Sequence, residues 1–148
     1  DKAEEVADLA MKKMPVDQFG FYSLLEPYIS AYYEIGNVEQ GRALFKDVAR
    51  KYQENLVYYS NLSLDNQESK VGEDIYVDIQ RYRALVDILV VYNDKDFALE
   101  ETKTFNNYLS LFDQLMNRYS EEDLPEIPDD VDLSTTINDS IKKITPEE

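Results

Sequence analysis

The chain has 148 residues, 43% of them hydrophobic, and carries 31 acidic against 15 basic side chains for a net charge of −16. That length suits one domain and that apolar content supports a core, which argues against global disorder. The acidity argues against binding driven by phosphate neutralisation and against attraction to anionic membranes.

Glycine (4) and proline (5) are scarce, whereas a β-sandwich needs a turn about every 8–12 residues. With no cysteine and no histidine, disulfides, thiolate nucleophiles, zinc-thiolate sites and the commonest general base are all missing. No apolar run approaches the ~20 residues that span a bilayer, and no signal-peptide pattern is present. The chain begins at Asp1 rather than methionine, as a trimmed chain would.

Along the chain, Ala3, Val6, Ala7, Ala10, Met11 and Met14 recur at helical spacing, and Pro15 stops this first helix. Residues 15–22 are expected to connect. Ser23 and Glu26 form a capping-box pattern before Pro27, and Leu25, Tyr28, Ile29, Tyr32 and Ile35 make the apolar face of a second helix ended by Gly36-Asn37. A long third helix carries Val38, Phe45, Val48, Ala49, Tyr52, Leu56, Tyr59 and Leu62, with a break at Asp65-Asn66-Gln67 and Gly72. The fourth carries Ile75, Ile79, Tyr82, Leu85, Val86, Leu89 and Val90 up to a Tyr92-Asn93-Asp94 turn. The fifth runs from Phe97 through Phe105, Phe112 and Leu115 to Tyr119.

From Ser120 onward ten acids face only Lys142 and Lys143, so this stretch contributes −8 to the net charge. It opens as a proline-interrupted acidic linker. Leu133, Ile137, Ile141 and Ile144 then have the spacing of one short amphipathic helix, with a solvated tail as the alternative.

Ala31 to Phe45 and Leu89 to Ala98 share a plan. An aromatic-rich helix end meets a Gly36 or Asn93 turn, and a small residue follows early in the next helix. Hairpins of the tetratricopeptide (TPR) type look like this, the turn residue tolerating positive φ and the small residue letting helices approach. Gly36 and Asn93 stand 57 apart where TPR units recur about every 34 residues, so elongated helices are expected. Lys12-Lys-Met-Pro15, Phe21-Tyr22-Ser23-Leu24, Ala31-Tyr-Tyr-Glu-Ile-Gly36, Glu54 to Ser60 and Asp78-Ile-Gln80 together resemble the soluble C-terminal region of a Bacteroidetes membrane-protein family. The N-terminal part of that family is similar to lipid-sugar-dependent glycosyltransferases, including protein O-mannosyltransferases. The resemblance covers roughly residues 1–118. It implies a periplasmic appendage whose catalytic acids and lipid-sugar site lie in the membrane part, and it carries no catalytic residue onto this chain.

Candidate chemistry is sparse. Asp74 and Asp78 lie one helical turn apart, as paired carboxylates could, but 31 acids make such pairs by chance. Asp94-Lys-Asp96 and Pro128 to Asp132 lack the EF-hand's central glycine and terminal glutamate. Asn61-Leu-Ser63 and Asn138-Asp-Ser140 match the N-glycosylation tripeptide, and Asp139-Ser140-Ile141 resembles the Bacteroidetes O-glycosylation acceptor; all are short enough to arise by chance. Tyrosine is the unusual feature, with 12 copies. In Tyr32-Tyr33 and Tyr58-Tyr59 the neighbours point about 100° apart on a helix, so one of each pair should be exposed or at a boundary. Tyr22, Tyr33 and Tyr58 are the candidate interaction residues, with inter-helix packing as the competing role.

The sequence therefore predicts an all-α, TPR-like bundle of about five antiparallel helices over 1–119, with an acidic extension over 120–148. It predicts a non-catalytic protein-interaction or scaffold module without cofactor or metal, partnered by a protein or by its own membrane domain. Neither nucleic acid binding nor membrane insertion by this piece is expected. The alternative is a glycan-binding domain with a tyrosine-lined groove.

Overall fold

In the computed structural model, residues 2–13 and 22–122 are described. Among them every regular element is helical, and none is long and apolar enough to cross a membrane. The α-helices are α1 (Lys2–Lys13), α2 (Glu26–Glu34), α3 (Val38–Ser60), α4 (Leu64–Ser69), α5 (Gly72–Val91), α6 (Lys95–Leu109) and α7 (Asp113–Glu122). Short 3₁₀ turns, Tyr22–Leu25 and Ser110–Phe112, lead into α2 and α7. Met14, the Pro15 stop and the connector up to Phe21 lie outside the described residues. So do the acidic linker, the Leu133–Ile144 helix, the Pro128–Asp132 loop and the Asn138 and Ser140 acceptors.

Two helical hairpins, α2–α3 and α5–α6, make the body, and α3 packs on α5 to join them. Their turns are built alike. Gly36 and Asn93 hold φ of +82° and +59°, the left-handed values that end a helix without steric cost only at glycine or, more tolerantly, asparagine. In the first turn Gly36 N–H donates to Tyr33 O at 3.1 Å and Asn37 N–H to Tyr32 O at 2.9 Å. In the second, Asn93 N–H donates to Val90 O at 3.1 Å and Asp94 N–H to Leu89 O at 3.0 Å. Both are Schellman arrangements that satisfy carbonyls left over at the helix end. The small residue four places after each N-cap, Gly41 or Ala98, is buried where the two helices converge. A Cβ on Gly41 would stand 3.0 Å from two carbons of the Tyr33 ring.

The core runs between these hairpins. Phe45, Tyr52, Leu56, Tyr82, Leu85, Leu89 and Phe112 are fully buried, and burying each such side chain contributes roughly 1.5–3 kcal/mol. Aromatic rings organise it: Tyr82 lies edge-on to Phe105 (5.0 Å) and stacks near Tyr52 (6.1 Å), while Phe45 meets Phe97 edge-on at 5.4 Å. The Tyr82 phenol accepts from Gln53 Nε2 at 2.8 Å, and burial pushes its pKa up to about 12.

Several expectations need correction. The region around Asp65 to Gln67 is a helix, α4, pinned because Gln67 Nε2 donates to Ser60 O (3.3 Å) and Leu62 O (2.9 Å). The fifth helix is two, since its ladder tightens over Ser110–Phe112 before α7 folds back on α4 through Arg118 to Asp65 and Glu68. At the start of α2, Leu25 rather than Ser23 occupies the N-cap and makes no side-chain cap, because the 3₁₀ turn already leads the chain in. The α1 stripe is only partly used: Ala7 is buried, whereas Val6 remains 58% exposed, α2 being the main element packed on α1.

Candidate interaction groove

Helix α2 presents two opposite faces. Ile29, Tyr32 and Tyr33 turn inward, and Pro27, Ser30, Ala31 and Glu34, spaced three and four apart, turn outward. The outward stripe, together with Leu24, Glu26, Ile88 and Tyr92, lines an open groove of about 700 Å³ between α2 and the end of α5. Small side chains in the middle of the stripe leave the space.

A polar cluster fixes the α5 wall of this groove. Tyr92 stacks on Tyr33 with ring centroids 5.3 Å apart and planes 14° from parallel. Its phenol donates to Glu34 Oε1 at 2.8 Å; that bond, more than burial, raises the Tyr92 pKa, and a Ser30 hydrogen bond works the other way. Behind it the Tyr33 phenol donates to Asp94 Oδ2 at 2.6 Å, and Arg42 donates through Nε to Oδ2 (2.7 Å) and through Nη2 to Oδ1 (2.6 Å). Arg42 therefore holds the Asp94 carboxyl below its ordinary value. Burial and the anionic acceptor hold the Tyr33 phenol well above its own. Arg42 also lies over the Phe97 ring at 5.5 Å, a cation–π contact that ties α3 to α6. At the other end of the groove, burial raises the Glu26 carboxyl while Arg81 partly offsets it.

The structure separates the three tyrosines singled out by the sequence. Tyr33 is only 8% exposed and belongs to the packing behind the groove. Tyr58 is 64% exposed on α3, edge-on to Tyr59, and does not line the groove. Tyr22 lies in the 3₁₀ turn before α2, and its side chain is outside the described residues. The rule that one tyrosine of each pair faces outward holds for Tyr58 and fails for Tyr32-Tyr33. Tyr32 is 2% exposed because α1 covers it, its phenol donating to Asp8 Oδ1 at 2.6 Å, while Tyr33 is covered from the α5–α6 turn. The sequence pattern assigns Tyr92, a groove residue, only to a turn. Its place beside Asn93 in the repeated plan was the available signal.

The candidate carboxylates Asp74 and Asp78 do not share a pocket. Asp78 is buried, accepting from Asn55 Nδ2 at 3.2 Å, with its pKa raised by burial and, to a lesser degree, by the Asp74 charge; Asp74 is exposed, and neither lines the groove. Asp94 is engaged by Arg42 and Tyr33 while Asp96 is exposed. Among the described residues no three acidic side chains converge on a point that could hold a metal ion. Asn61 is exposed at the α3 C-cap, and the Ser63 hydroxyl caps α4 by accepting from Asn66 N–H. Compared with known proteins, the chain matches no family model, no curated protein and no solved structure.

Proposed function

We propose that this region is a TPR-like scaffold module that holds a protein partner along the α2–α5 groove and performs no catalysis. The observation that carries this reading is the repeated hairpin, with left-handed turn residues at Gly36 and Asn93 and small residues at Gly41 and Ala98, all offset by 57 positions. Repetition of one hairpin sets the first helices of each unit side by side and opens a face between them, the arrangement by which helical repeats present a binding surface. Lack of histidine and cysteine, with the groove's two acids Glu26 and Glu34 held apart at its opposite ends, supports a binding role over a chemical one. The resemblance to the Bacteroidetes family adds a setting: the periplasmic side of a glycosyltransferase-like membrane protein, with this module presenting acceptor proteins or organising a complex.

The groove favours a protein over a glycan, because among its described lining residues only Tyr92 is aromatic and none is asparagine or aspartate. Tyr32, Tyr33, Tyr52 and Tyr82 are used in packing. Panning a phage-displayed peptide library against the wild-type protein and Ala31→Trp, which fills the groove, tests the reading. Peptides retained by the wild type and lost on Ala31→Trp are expected. Retention of mannose-containing glycans, sensitive to the same substitution, would replace it with the glycan reading.

A further inference from the structure

The groove's own chemistry specifies a class of partner, an inference that rests on the interaction reading above. Its middle is apolar and small, formed by Pro27, Ala31 and Ile88, and Leu24 stands 62% exposed at the rim. Carboxylates mark its two ends. Glu26 and Glu34 are eight residues apart on α2, about 12 Å along the axis at ~1.5 Å per residue.

No lysine or arginine is among the described lining residues; the charge of Arg81 on α5 reaches Glu26. Glu34 is held in place by the Tyr92 phenol, whose ring is fixed in turn by Tyr33. A carboxylate partly withdrawn from water at one end and an oriented one at the other leave two anionic ends around an apolar centre. A cation is the complementary group at each end, and an apolar side chain is the complement between them.

We propose that the α2–α5 groove receives a cationic-apolar peptide segment, with lysine or arginine reaching Glu26 and Glu34 and apolar side chains lying over Pro27, Ala31 and Ile88. A span of about 12 Å corresponds to basic residues four apart in an extended segment at ~3.3 Å per residue, or eight apart in a helix. Charge separates this occupant from the others at hand. The chain's own 120–148 stretch carries −8 and a second copy carries −16, so both meet like charge at the groove.

A fluorescein-labelled nonapeptide with lysine at its first, fifth and ninth positions and leucine or alanine between serves as the probe. Two versions, with glutamate or with serine in place of lysine, serve as comparators in fluorescence anisotropy. The lysine peptide is expected to bind, and Glu26→Gln with Glu34→Gln to weaken it about tenfold. Glu100→Gln with Asp113→Asn, an equal charge change on α6 and α7, is expected to alter binding about twofold or less. Circular dichroism confirms that each variant is folded. Equal weakening by the two double variants would overturn the proposal in favour of general attraction to an acidic surface. Stronger binding of the serine or glutamate peptide, abolished by Ala31→Trp, would overturn the cationic partner and leave the interaction reading standing. Failure of all three peptides also overturns the cationic partner. Panning that yields no peptide sensitive to Ala31→Trp overturns the interaction reading with it.

Discussion

The α2–α3 and α5–α6 hairpins have matching turns and use their N-cap residues differently. Asn37 caps α3, its side-chain oxygen accepting from Gln40 N–H at 3.3 Å, and its amide donates to Glu4 Oε1 of α1 at 2.6 Å. Asp94, at the matching place, makes no side-chain cap on α6 and gives its carboxylate to Tyr33 and Arg42 of the other hairpin. Either residue type suits an N-cap, but only the carboxylate can pair with an opposite charge, and Asp94 does so through a two-bond fork with Arg42. The matching position thus caps its own helix in one hairpin and ties the two hairpins together in the other, and the Tyr33–Tyr92 stack passes that constraint to the groove.

The matched positions of the two hairpins give a graded test. Gly41→Leu is expected to cost about 2–3 kcal/mol through overpacking against the Tyr33 ring. Ala98→Gly, at the same place in the second hairpin, should cost only about 1 kcal/mol, by propensity and lost contact. Urea unfolding of both variants measures the difference, and equal losses would break the equivalence of the two close approaches. Next in size, Asp94→Ala should lose about 2 kcal/mol, since it leaves Tyr33 and Arg42 without their acceptor, against about 1 kcal/mol for the cap lost in Asn37→Ala. The turns themselves should differ least: Gly36→Ala costs about 1 kcal/mol at positive φ, while Asn93→Gly shifts stability by less than about 0.5 kcal/mol. Thermal melts of these two variants provide that check.

Acid titration sharpens the comparison further. The folded-state pKa of Asp94 is lowered, so its contribution is complete above the unfolded value of about 3.9 and is lost as pH falls through the lowered one. Asp78, Glu101 and Glu26 behave oppositely, because burial raises their carboxyls. The folded state then binds their protons more tightly, and stability falls as pH rises from the ordinary carboxylate value through the raised ones. Tm should therefore rise as pH drops from neutrality into the mildly acid range and fall again below about 4. Asp94→Asn should blunt the acid fall, and Asp78→Asn with Glu101→Gln should flatten the rise.

Much of the fold was legible because its signals are local. Apolar spacing picked out buried Ile29, Phe45, Val48, Tyr52, Leu56, Ile75, Tyr82 and Phe105. Gly36-Asn37 and Asn93-Asp94 marked both turns, down to the two residues of positive φ. The break at Ser110–Phe112 carries no proline or glycine, and it follows from α7 docking on α4 rather than from local preference. The Tyr33–Asp94 bond joins residues 61 apart, beyond the reach of any periodicity. Burial of both Tyr32 and Tyr33 likewise required knowing that α2 is covered on two sides. The groove was illegible for the same reason: half its meaning lies in Ile88 and Tyr92, which reach α2 only after the hairpins dock.

A double-mutant cycle of Tyr33→Phe and Asp94→Asn, read as unfolding free energies, tests most directly whether the two hairpins are locked together behind a preformed groove. A coupling of about 1–2 kcal/mol between residues that lie in different hairpins is the predicted result. Additive effects, with coupling near zero, would contradict the account by showing that the Tyr33–Asp94 bond does not help to lock the hairpins together.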